Sequence, residues 1–237
     1  MKVAVLLTGR GNNTLADKNI LPVLGNPLVS YPANAAKRVK AVKSFYVSSD
    51  DDAILKIASD IGYTKIKRPK ELSTPSAKHI DAILHALDYM KNIDSFSPDV
   101  LVVIMANSAT VKTEWIESGI NAIVDNNSIS AVVPVHQEQD HHPYRAKKLN
   151  KNGMLEPFFD FTNIEVSTNR QELEASFFLC HNFWVLNIKE SILKKEGQKP
   201  WTFLGGNISP IVVDECFDVH VKEDLKASER WLLKNVQ

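Results

Sequence analysis

The loop after the first apolar segment carries the residues best suited to binding a polyphosphate. Between Gly9 and Lys18 the chain combines two glycines, Gly9 and Gly11, with two cations, Arg10 and Lys18. Glycine lets backbone N–H groups approach an anion closely, and the cations add positive charge, which together suit a triphosphate. The loop lacks the third glycine of a dinucleotide fingerprint and the Gly-Lys-Ser/Thr of a Walker A loop. Taken alone, the pattern also fits an ordinary tight turn with solvated charges.

Other reactive side chains lie in the second half of the chain. One dense group comprises His136, Asp140, His141 and His142. Because adjacent residues of an extended chain point to opposite sides, these side chains predict a polar arm and not a shared metal site. Cys180 and His181 are neighbours in an apolar context. Adjacency in sequence does not create the geometry of a nucleophile and its base, so we expect Cys180 and His181 to be buried in packing.

Composition excludes several classes of protein. The 237 residues include 28 basic and 28 acidic side chains, and the formal net charge is zero. A neutral chain lacks the cationic field from which general nucleic-acid and anionic-membrane binders gain affinity. Two cysteines, Cys180 and Cys216, exclude a disulfide scaffold and fit a reducing compartment. The apolar stretches are too short for a signal or a membrane span. These features predict a cytoplasmic protein without nucleic-acid or membrane partners.

The elements that must position these residues alternate between strand and helix. Predicted strands are Val3–Leu7, Phe45–Val47, Lys65–Lys67, Val100–Met105, Ala131–Val135 and Ile208–Val213. Predicted helices are Asn26–Val39, Ala53–Ile61, Ile80–Met90, a helix that follows Thr113, and Val221–Leu233. Asn26 is the predicted N-cap of the first helix, with Pro27 in its first turn. Ser48, Ser49 and Asp50 can cap the second helix, and Thr113 can cap the fourth. This alternation predicts one three-layer α/β domain with a mostly parallel sheet.

A polar, aromatic-rich segment interrupts the alternation between about 136 and 186. It carries the turn signal Asn152–Gly153 and shows no clear periodicity. We therefore interpret residues 1–237 as a single domain with a protruding arm at 136–186. Without a basic face, the aromatic side chains of the arm favour a subunit interface or a pocket wall over base stacking. A homodimer that forms through the arm is the expected assembly.

Several segments resemble, in order and at matching spacing, the signatures of the CTP:sugar-acid cytidylyltransferases, the CMP-sialic acid synthetase family. They are Leu7–Gly11, Asp17–Pro22, Gly25–Leu28, Val47–Asp51, Arg68–Ser73, Ile80–Leu87, His142–Arg145, Asn152–Phe159, Arg170–Leu173 and Asp218–Leu225. The resemblance covers nearly the whole chain. It implies a Rossmann-like fold of the nucleotide-diphospho-sugar transferase type, and transfer of CMP from CTP to the anomeric hydroxyl of a keto sugar acid, with release of pyrophosphate and assistance from Mg²⁺.

The resemblance also implies roles for individual residues. Arg10 and Lys18 would act on the phosphates, where charge accumulates during attack on the α-phosphorus. The implied nucleotide-binding residues are Leu7, Gly9, Arg10, Gly11, Asn12, Asn13, Lys18, Asn19, Arg68, His79 and Asn107. The implied sugar-acid residues are Ser108, Tyr144 and Arg170, the last reaching a site across a dimer interface. Asp218 and His220 occupy the positions of the metal ligands.

Three departures from the family pattern qualify these roles. The first loop is one residue shorter and has Asn13 and Thr14 where a mid-loop cation is usual. The strand end Gln-Pro-Thr-Ser-Pro is replaced by residues 105–109, in which Asn107 and Ser108 can bind a base or sugar, or close a turn. The metal pair Asp-x-Asp reads Asp218-Val219-His220. Mg²⁺ prefers oxygen ligands, whereas imidazole also suits Mn²⁺ or zinc.

His220 at a metal-ligand position leaves three alternatives open. Asp218 holds Mg²⁺ together with water and phosphate oxygens, or the metal preference has shifted away from Mg²⁺, or the activity is lost. We predict a nonulosonic or related 3-deoxy keto sugar acid as acceptor, other than ordinary N-acetylneuraminate. Two alternatives stay open: a nucleotidyltransferase for another nucleotide and sugar or alcohol, and a nucleotide-binding relative without turnover.

Overall fold

A computed structural model describes residues 1–11 and 14–235. The strands are β1 (Val3–Thr8), β2 (Pro22–Val23), β3 (Asn26–Pro27), β4 (Ser44–Ser49), β5 (Thr64–Lys67), β6 (Val100–Met105), β7 (Ala131–Gln137), β8 (Lys147–Leu149), β9 (Leu155–Pro157), β10 (Phe177–Leu179), β11 (Phe183–Asn187) and β12 (Ile208–Val212). The α-helices are α1 (Ser30–Lys37), α2 (Asp52–Asp60), α3 (His79–Asn92), α4 (Thr113–Asp125) and α5 (Lys222–Asn235). The helices of the described ranges are not long and apolar enough to cross a membrane.

An eight-stranded sheet forms the centre of the molecule, with the order β10-β7-β11-β6-β1-β4-β5 and β12 paired to β7. The pairs β6–β1, β1–β4, β4–β5 and β7–β12 are parallel, whereas β10 and β11 run antiparallel to their neighbours. The predicted α/β fold with a mostly parallel sheet is confirmed.

Successive residues of the central strands pack into two separate hydrophobic cores. In β1, Val5 and Leu7 face the core formed with α1, α2 and α4, while Ala4 and Leu6 face the core formed with α3. Side chains of a strand alternate between the two faces of its sheet, so a strand covered on both sides must be apolar throughout. This arrangement explains why β1 and β6 are continuous apolar runs, and it confirms the three layers.

The helix predicted from Asn26 is wrong at its start. Asn26–Pro27 forms β3, which pairs with Pro22–Val23 in a two-residue hairpin. The turn residues Leu24 and Gly25 both have positive φ, 47° and 82°, as a type I′ turn requires. The helix begins only at Ser30. A Pro after Asn fits a helix start and a turn equally well, and the hairpin decides between them.

Two predicted caps are also corrected. The cap of α2 is Asp51, whose Oδ1 accepts hydrogen bonds from the amides of Ala53 and Ile54 at 2.7 and 3.4 Å. Ser48 and Ser49 instead end strand β4. Thr113 lies inside α4, and its hydroxyl donates to the carbonyl of Ala35 at 2.8 Å.

The expected excursion at 136–186 contains part of the central sheet. Strand β11 (Phe183–Asn187) lies between β6 and β7, and β10 pairs with β7. Sequence patterns missed β11 because this short buried strand lies in a polar, aromatic-rich stretch that was assigned as a whole to the excursion. The part that stands outside the sheet is the segment with the β8–β9 hairpin, and we use "arm" below for residues 138–176.

The two cysteines differ from expectation. Cys180 is buried, as predicted, but it forms a disulfide with Cys216, with their Cα atoms 6.2 Å apart. Thirty-six positions separate the two residues in sequence, and only the tertiary structure brings the turn before β11 against the loop after β12.

Candidate active site

A cavity of about 340 Å³ opens where β1 and β6 end. Its walls include Thr8, Gly9, Arg10, Lys18, Asn19, Arg68, His79, Met105, Asn107, His181, Trp184, Asp218 and His220. Thr8 and Met105 are the last residues of β1 and β6. The carboxyl ends of parallel strands are where open α/β sheets bind ligands, so the cavity occupies the position that the fold favours.

Glycines hold the first loop close to the sheet. A Cβ at Gly9 would lie 2.8 Å from the Cβ of Ala106, and one at Gly11 would lie 2.8 Å from Oδ2 of Asp51. The Gly9 amide donates to the carbonyl of Ser48 at 3.3 Å, and the Gly11 amide donates to Oδ1 of Asp50 at 3.1 Å. The two glycines are therefore needed for close packing, and their amides bond to protein groups in this structure.

The two predicted cations line the same cavity. Nη1 of Arg10 donates to the carbonyl of Thr74 at 2.9 Å. Lys18 is only 8% exposed, and its Nζ donates to the carbonyl of Val219 at 2.7 Å. Burial lowers the pKa of Lys18, Asp218 opposes that shift, and the nearby Arg10 adds to it. A positive charge in a desolvated position interacts strongly with any anion that enters.

Arg68 and His79 form the wall between the ends of β4 and β5 and the start of α3. Arg68 donates to the hydroxyl and carbonyl of Ser48 at 3.1 and 2.6 Å, and burial lowers its pKa to about 10. Nε2 of His79 lies 3.0 Å from the Thr8 hydroxyl. Burial, with smaller effects of Arg68 and His181, lowers the pKa of His79 to about 4. His79 is therefore a neutral imidazole at physiological pH.

Asp218 lies at the centre of a polar cluster. Its Oδ1 contacts Nδ2 of Asn107, and its Oδ2 lies 3.0 Å from Nε2 of His220. Burial raises the pKa of Asp218, while His220, Lys18 and His181 lower it. The donor set therefore comprises one carboxylate with an imidazole and an amide. That set fits Mg²⁺, which protein sites commonly hold with one or two carboxylates plus phosphate oxygens.

Asp224 has a different role from Asp218. Its Oδ2 accepts the amides of His220 and Val221 at 2.7 and 2.9 Å. These bonds fix the chain just before α5 and orient the segment that carries His220. Asp224 therefore serves the start of the helix.

Some predicted site residues lie elsewhere. Leu7 is fully buried in the core, because strand alternation turns it away from the cavity. Ser108 is also fully buried, and its hydroxyl donates to the carbonyl of Phe217 at 2.8 Å, so it closes a turn and does not line the cavity. Gly11 lies just outside the cavity walls. Asn12 and Asn13 lie outside the described residues.

Tyr144 and Arg170 belong to the arm and do not line the described cavity of their own chain. Tyr144 packs edge-to-face against Phe159 and Phe161. Arg170 forms an ion pair with Asp140. In the described part of this chain, neither residue contacts the cavity that holds Arg10 and Lys18.

Several residues that line the cavity were not among the predicted site residues, and Thr8 and His181 are two of them. Thr8 ends β1, and the rule that ligands bind at the carboxyl ends of strands would have found it. His181 was assigned to packing because its neighbours are apolar, yet it lines the cavity and its ring lies 6.0 Å from that of Trp184. Trp184 belongs to the strand that periodicity missed. It lines the cavity, and a pocket wall was one of the two roles predicted for the aromatic side chains of 136–186.

The sheet, the layers and the position of the cavity define a three-layer α/β nucleotide-binding fold. A family model described as cytidylyltransferase matches residues 6–177. The chain belongs to the cytidylyltransferase family, a class of nucleotidyltransferases. The recognised resemblance to this family is confirmed.

Curated relatives and solved structures agree with this assignment. The chain is 30% identical over 95 residues to N-acylneuraminate cytidylyltransferase of Escherichia coli O18:K1:H7, covering 40% of the chain and 23% of the relative. It is 25% identical over 181 residues to N-acylneuraminate cytidylyltransferase A of Danio rerio, covering 76% and 39%. It is 21% identical over 176 residues to a Helicobacter pylori protein named pseudaminic acid cytidylyltransferase and UDP-2,4-diacetamido-2,4,6-trideoxy-beta-L-altropyranose hydrolase, covering 74% and 32%. The chain thus spans less than half the length of these relatives.

Solved structures match the fold over its full length. The CMP:2-keto-3-deoxy-manno-octonic acid synthetase complexed with CTP superimposes with a TM-score of 0.71 at 13% identity, covering 100% of both chains. The 4-diphosphocytidyl-2C-methyl-D-erythritol synthase of Anaerococcus prevotii superimposes with a TM-score of 0.61 at 14% identity, covering 98% and 96%. At these identities the matches establish the fold.

Proposed function

We propose that this protein transfers CMP from CTP to the anomeric hydroxyl of a sialic-acid-like or related 3-deoxy keto sugar acid and releases pyrophosphate. The observation that carries the proposal is the convergence of Arg10, Lys18 and Asp218 on one cavity at the carboxyl ends of the sheet. Membership of the cytidylyltransferase family supports CTP as the donor. The names of the relatives support a keto sugar acid as the acceptor.

In this proposal, Arg10 and Lys18 bind the phosphates. The acceptor hydroxyl attacks the α-phosphorus and its proton passes to solvent. The new P–O bond forms as the bond from the α-phosphorus to the oxygen that bridges to the β-phosphate breaks, and pyrophosphate leaves with that oxygen. Negative charge grows on the phosphate oxygens during this step, so fixed cations accelerate it. Lys18 is held by the carbonyl of Val219 and is therefore preorganised.

Asp218 is the residue that would hold Mg²⁺, which supplies charge neutralisation at the phosphates when bound. His220 lies beside that carboxylate and would be the second ligand or would orient Asp218. Because imidazole also suits Mn²⁺, we propose that the protein uses Mn²⁺ as well as Mg²⁺.

Nucleoside recognition is assigned to Asn19, Arg68, His79 and Asn107. Within the described residues, the buried Oδ1 of Asn19 has no hydrogen-bond partner, while its Nδ2 donates to the carbonyl of Arg10 at 2.9 Å. A buried acceptor without a partner is costly, so a ligand hydroxyl or amine that donates to Asn19 would relieve this cost.

The test is pyrophosphate release with a panel of nucleotides and acceptors. The proposal predicts turnover with CTP and a nonulosonic or 3-deoxy keto sugar acid. Selective use of UTP or GTP, or transfer to a sugar phosphate, would replace this proposal with another nucleotidyltransferase activity.

A nucleotide-binding relative without turnover is the second candidate, and His220 in place of a carboxylate favours it. Tight CTP binding in calorimetry, with no pyrophosphate release in Mg²⁺ or Mn²⁺ across a broad panel of acids, would establish that candidate and reject the transferase.

A further inference from the structure

Three side chains outside the catalytic assignments meet beside the cavity. Cys180 Sγ, Cys216 Sγ and a ring nitrogen of His136 all lie within 4.8 Å of one another. His136 lies at the end of β7, Cys180 in the turn between β10 and β11, and Cys216 in the loop after β12. Cys180 and Cys216 are the two cysteines of the whole sequence. We infer that, when the Cys180–Cys216 disulfide is reduced, these three side chains bind one zinc ion.

The distances suit a shared metal. Zinc binds thiolate sulfur at about 2.3 Å and imidazole nitrogen at about 2.0–2.1 Å in tetrahedral geometry, which places two ligand atoms about 3.5–3.8 Å apart. The observed separation of His136 Nδ1 and Cys180 Sγ is 3.8 Å. The two sulfurs need only separate from bonding distance to that spacing, and the rest of the site is already in place.

The backbone around each ligand is fixed. The Cys180 amide donates to the carbonyl of Pro134 at 2.8 Å, and the ring of His136 stacks on Phe178, its neighbour across β10, at 5.9 Å. The Phe217 amide, next to Cys216, donates to the hydroxyl of Thr110 at 2.9 Å. Three separate elements therefore hold the ligands in register, and this preorganisation favours metal binding.

The ligand chemistry selects the metal. Two thiolates and an imidazole form a soft donor set that suits Zn²⁺ and disfavours Mg²⁺. The Asp218 cluster is the harder, oxygen-containing set, so the two sites take different metals. Cys180 is buried, whereas His136 and Cys216 are partly exposed, which leaves a fourth position open to water.

The chemistry balances with a dithiol as the reductant. The dithiol gives up two electrons and two protons and becomes a disulfide, the S–S bond breaks, and Cys180 and Cys216 become thiols. Zinc then replaces the two thiol protons, which pass to solvent, so zinc affinity rises with pH.

Both the disulfide and the zinc complex would hold the loop after β12 in place. Cys216 precedes Asp218 by two residues, and Cys180 directly precedes His181. The disulfide or the zinc ion would thus hold the loop after β12 against the sheet next to the cavity. Zinc binding is tested below without reference to CTP, so its failure is distinguishable from failure of the proposed transferase activity.

The experiment starts from full-length protein reduced with a dithiol, stripped with a chelator and freed of both by gel filtration under argon. After two free thiols per chain are confirmed, titration with zinc should give one ion per chain. Cobalt should give thiolate charge-transfer absorption in the near ultraviolet. Cys180→Ser and Cys216→Ser should abolish the cobalt signal, and His136→Ala should weaken zinc binding at least about tenfold. The matched control His141→Ala, at an exposed histidine of the arm, should bind as the wild type does.

Two outcomes overturn the inference, and the first needs no variant. One is fully reduced wild-type protein that binds less than stoichiometric zinc. The other is wild-type zinc affinity in folded Cys180→Ser/Cys216→Ser protein, with folding checked by circular dichroism.

Discussion

Arg10 enters the cavity from a loop whose two glycines are packed tightly against the sheet. Its contact with the carbonyl of Thr74 orients the guanidinium, and Lys18 approaches from the other end of the same loop. A cation that stabilises only the developing charge raises kcat, whereas a cation that binds substrate and transition state equally changes KM alone. The two roles are separable by kinetics.

We expect Arg10→Ala to lower kcat for pyrophosphate release about 10²–10³-fold, as loss of one fixed charge-stabilising donor does. The variant should stay folded, because Arg10 is not part of the core. Steady-state kinetics with CTP measure the effect, and the exposed Lys40→Ala is the control. A change confined to KM would show that Arg10 binds substrate and transition state equally.

His220 tests the metal assignment. Replacing imidazole by a carboxylate supplies a second hard oxygen ligand next to Asp218, so His220→Asp should shift the ratio of activities in Mg²⁺ and Mn²⁺ toward Mg²⁺. Metal titrations of pyrophosphate release give the ratio, with His141→Asp on the arm as control. An unchanged ratio in the folded variant would mean that residue 220 does not contact the metal.

His79 makes stability depend on pH. Its folded pKa of about 4 lies below the ordinary value of 6.5, so the unfolded chain binds more protons between these values. Stability is complete above pH 6.5 and is lost as the pH falls toward 4. Between pH 7.5 and 5 we expect His79 to remove about 2 kcal/mol of the free energy of unfolding.

Urea denaturation at the two pH values measures this loss. His79→Gln keeps a polar group near Thr8 but does not titrate, so it should reduce the pH dependence by that amount. Equal pH dependence in the wild type and in His79→Gln would show that other groups, and not His79, govern acid stability.

The turn of the β2–β3 hairpin places a leucine, Leu24, at a backbone position with positive φ, which leucine tolerates poorly. Leu24 has φ of 47° and is 44% exposed. Asparagine followed by glycine is the preferred pair for a type I′ turn, because asparagine tolerates positive φ better than leucine. Leu24→Asn should therefore raise the free energy of unfolding by about 0.5–1 kcal/mol, and chemical denaturation measures this change. Leu193→Asn, at another exposed leucine, is the control. If Leu24→Asn lowers the free energy of unfolding, the contacts of the Leu24 side chain stabilise the protein by more than the backbone strain destabilises it.

Elements that are buried on both faces could be predicted from sequence, whereas those defined by tertiary contacts could not. β1 and β6 are unbroken apolar runs, so their composition alone indicates central strands. β11 is equally buried, but it lies in a polar, aromatic-rich stretch and was assigned to the arm. The β2–β3 hairpin depends on positive φ angles at Leu24 and Gly25, and the sequence Asn26–Pro27 does not predict them.

The same distinction holds for the site. Arg10 and Lys18 were predicted from the glycine-containing loop and from the family resemblance, and Asp218 from the resemblance alone; the fold brings the three together. Trp184 was predicted only as an interface or pocket-wall aromatic. His181 carries no local signal, since it reaches the cavity from the turn before β11. The pairing of Cys180 with Cys216 likewise depends on contacts between distant parts of the chain.

At the scale of the whole molecule, the site joins the two ends of the chain. Nζ of Lys18 bonds to the carbonyl of Val219, 201 residues away, and α5 packs with Val23 and Leu28 of the hairpin region in a small third core. The C-terminal segment therefore completes a site that the N-terminal loop begins. Both ends of the chain thus contribute to the cavity walls, but Arg170 and Tyr144 do not line this cavity.

The arm carries Phe158 and Phe159, and the adjoining strand β10 carries Phe177 and Phe178; all four side chains are exposed in the single chain. Exposed apolar groups in one region commonly mark an interface. We propose that two chains pair through this surface and that Arg170 of each chain serves the cavity of the other. Sedimentation should then give a dimer, and a monomer at working concentration would exclude any role of Arg170 in trans.

Mixing two inactive variants separates a catalytic role in trans from a structural one. Arg10→Ala and Arg170→Ala should each have low activity, but a heterodimer of the two contains one cavity with both arginines intact. After co-refolding at equal concentrations, half of the dimers are heterodimers with one intact site of two, so activity should recover to about a quarter of the wild-type value. Heterodimers isolated with two affinity tags should reach about half. If they stay as inactive as the parents, Arg170 acts within its own chain or holds the arm in place, because only a shared site can be restored by exchange of subunits.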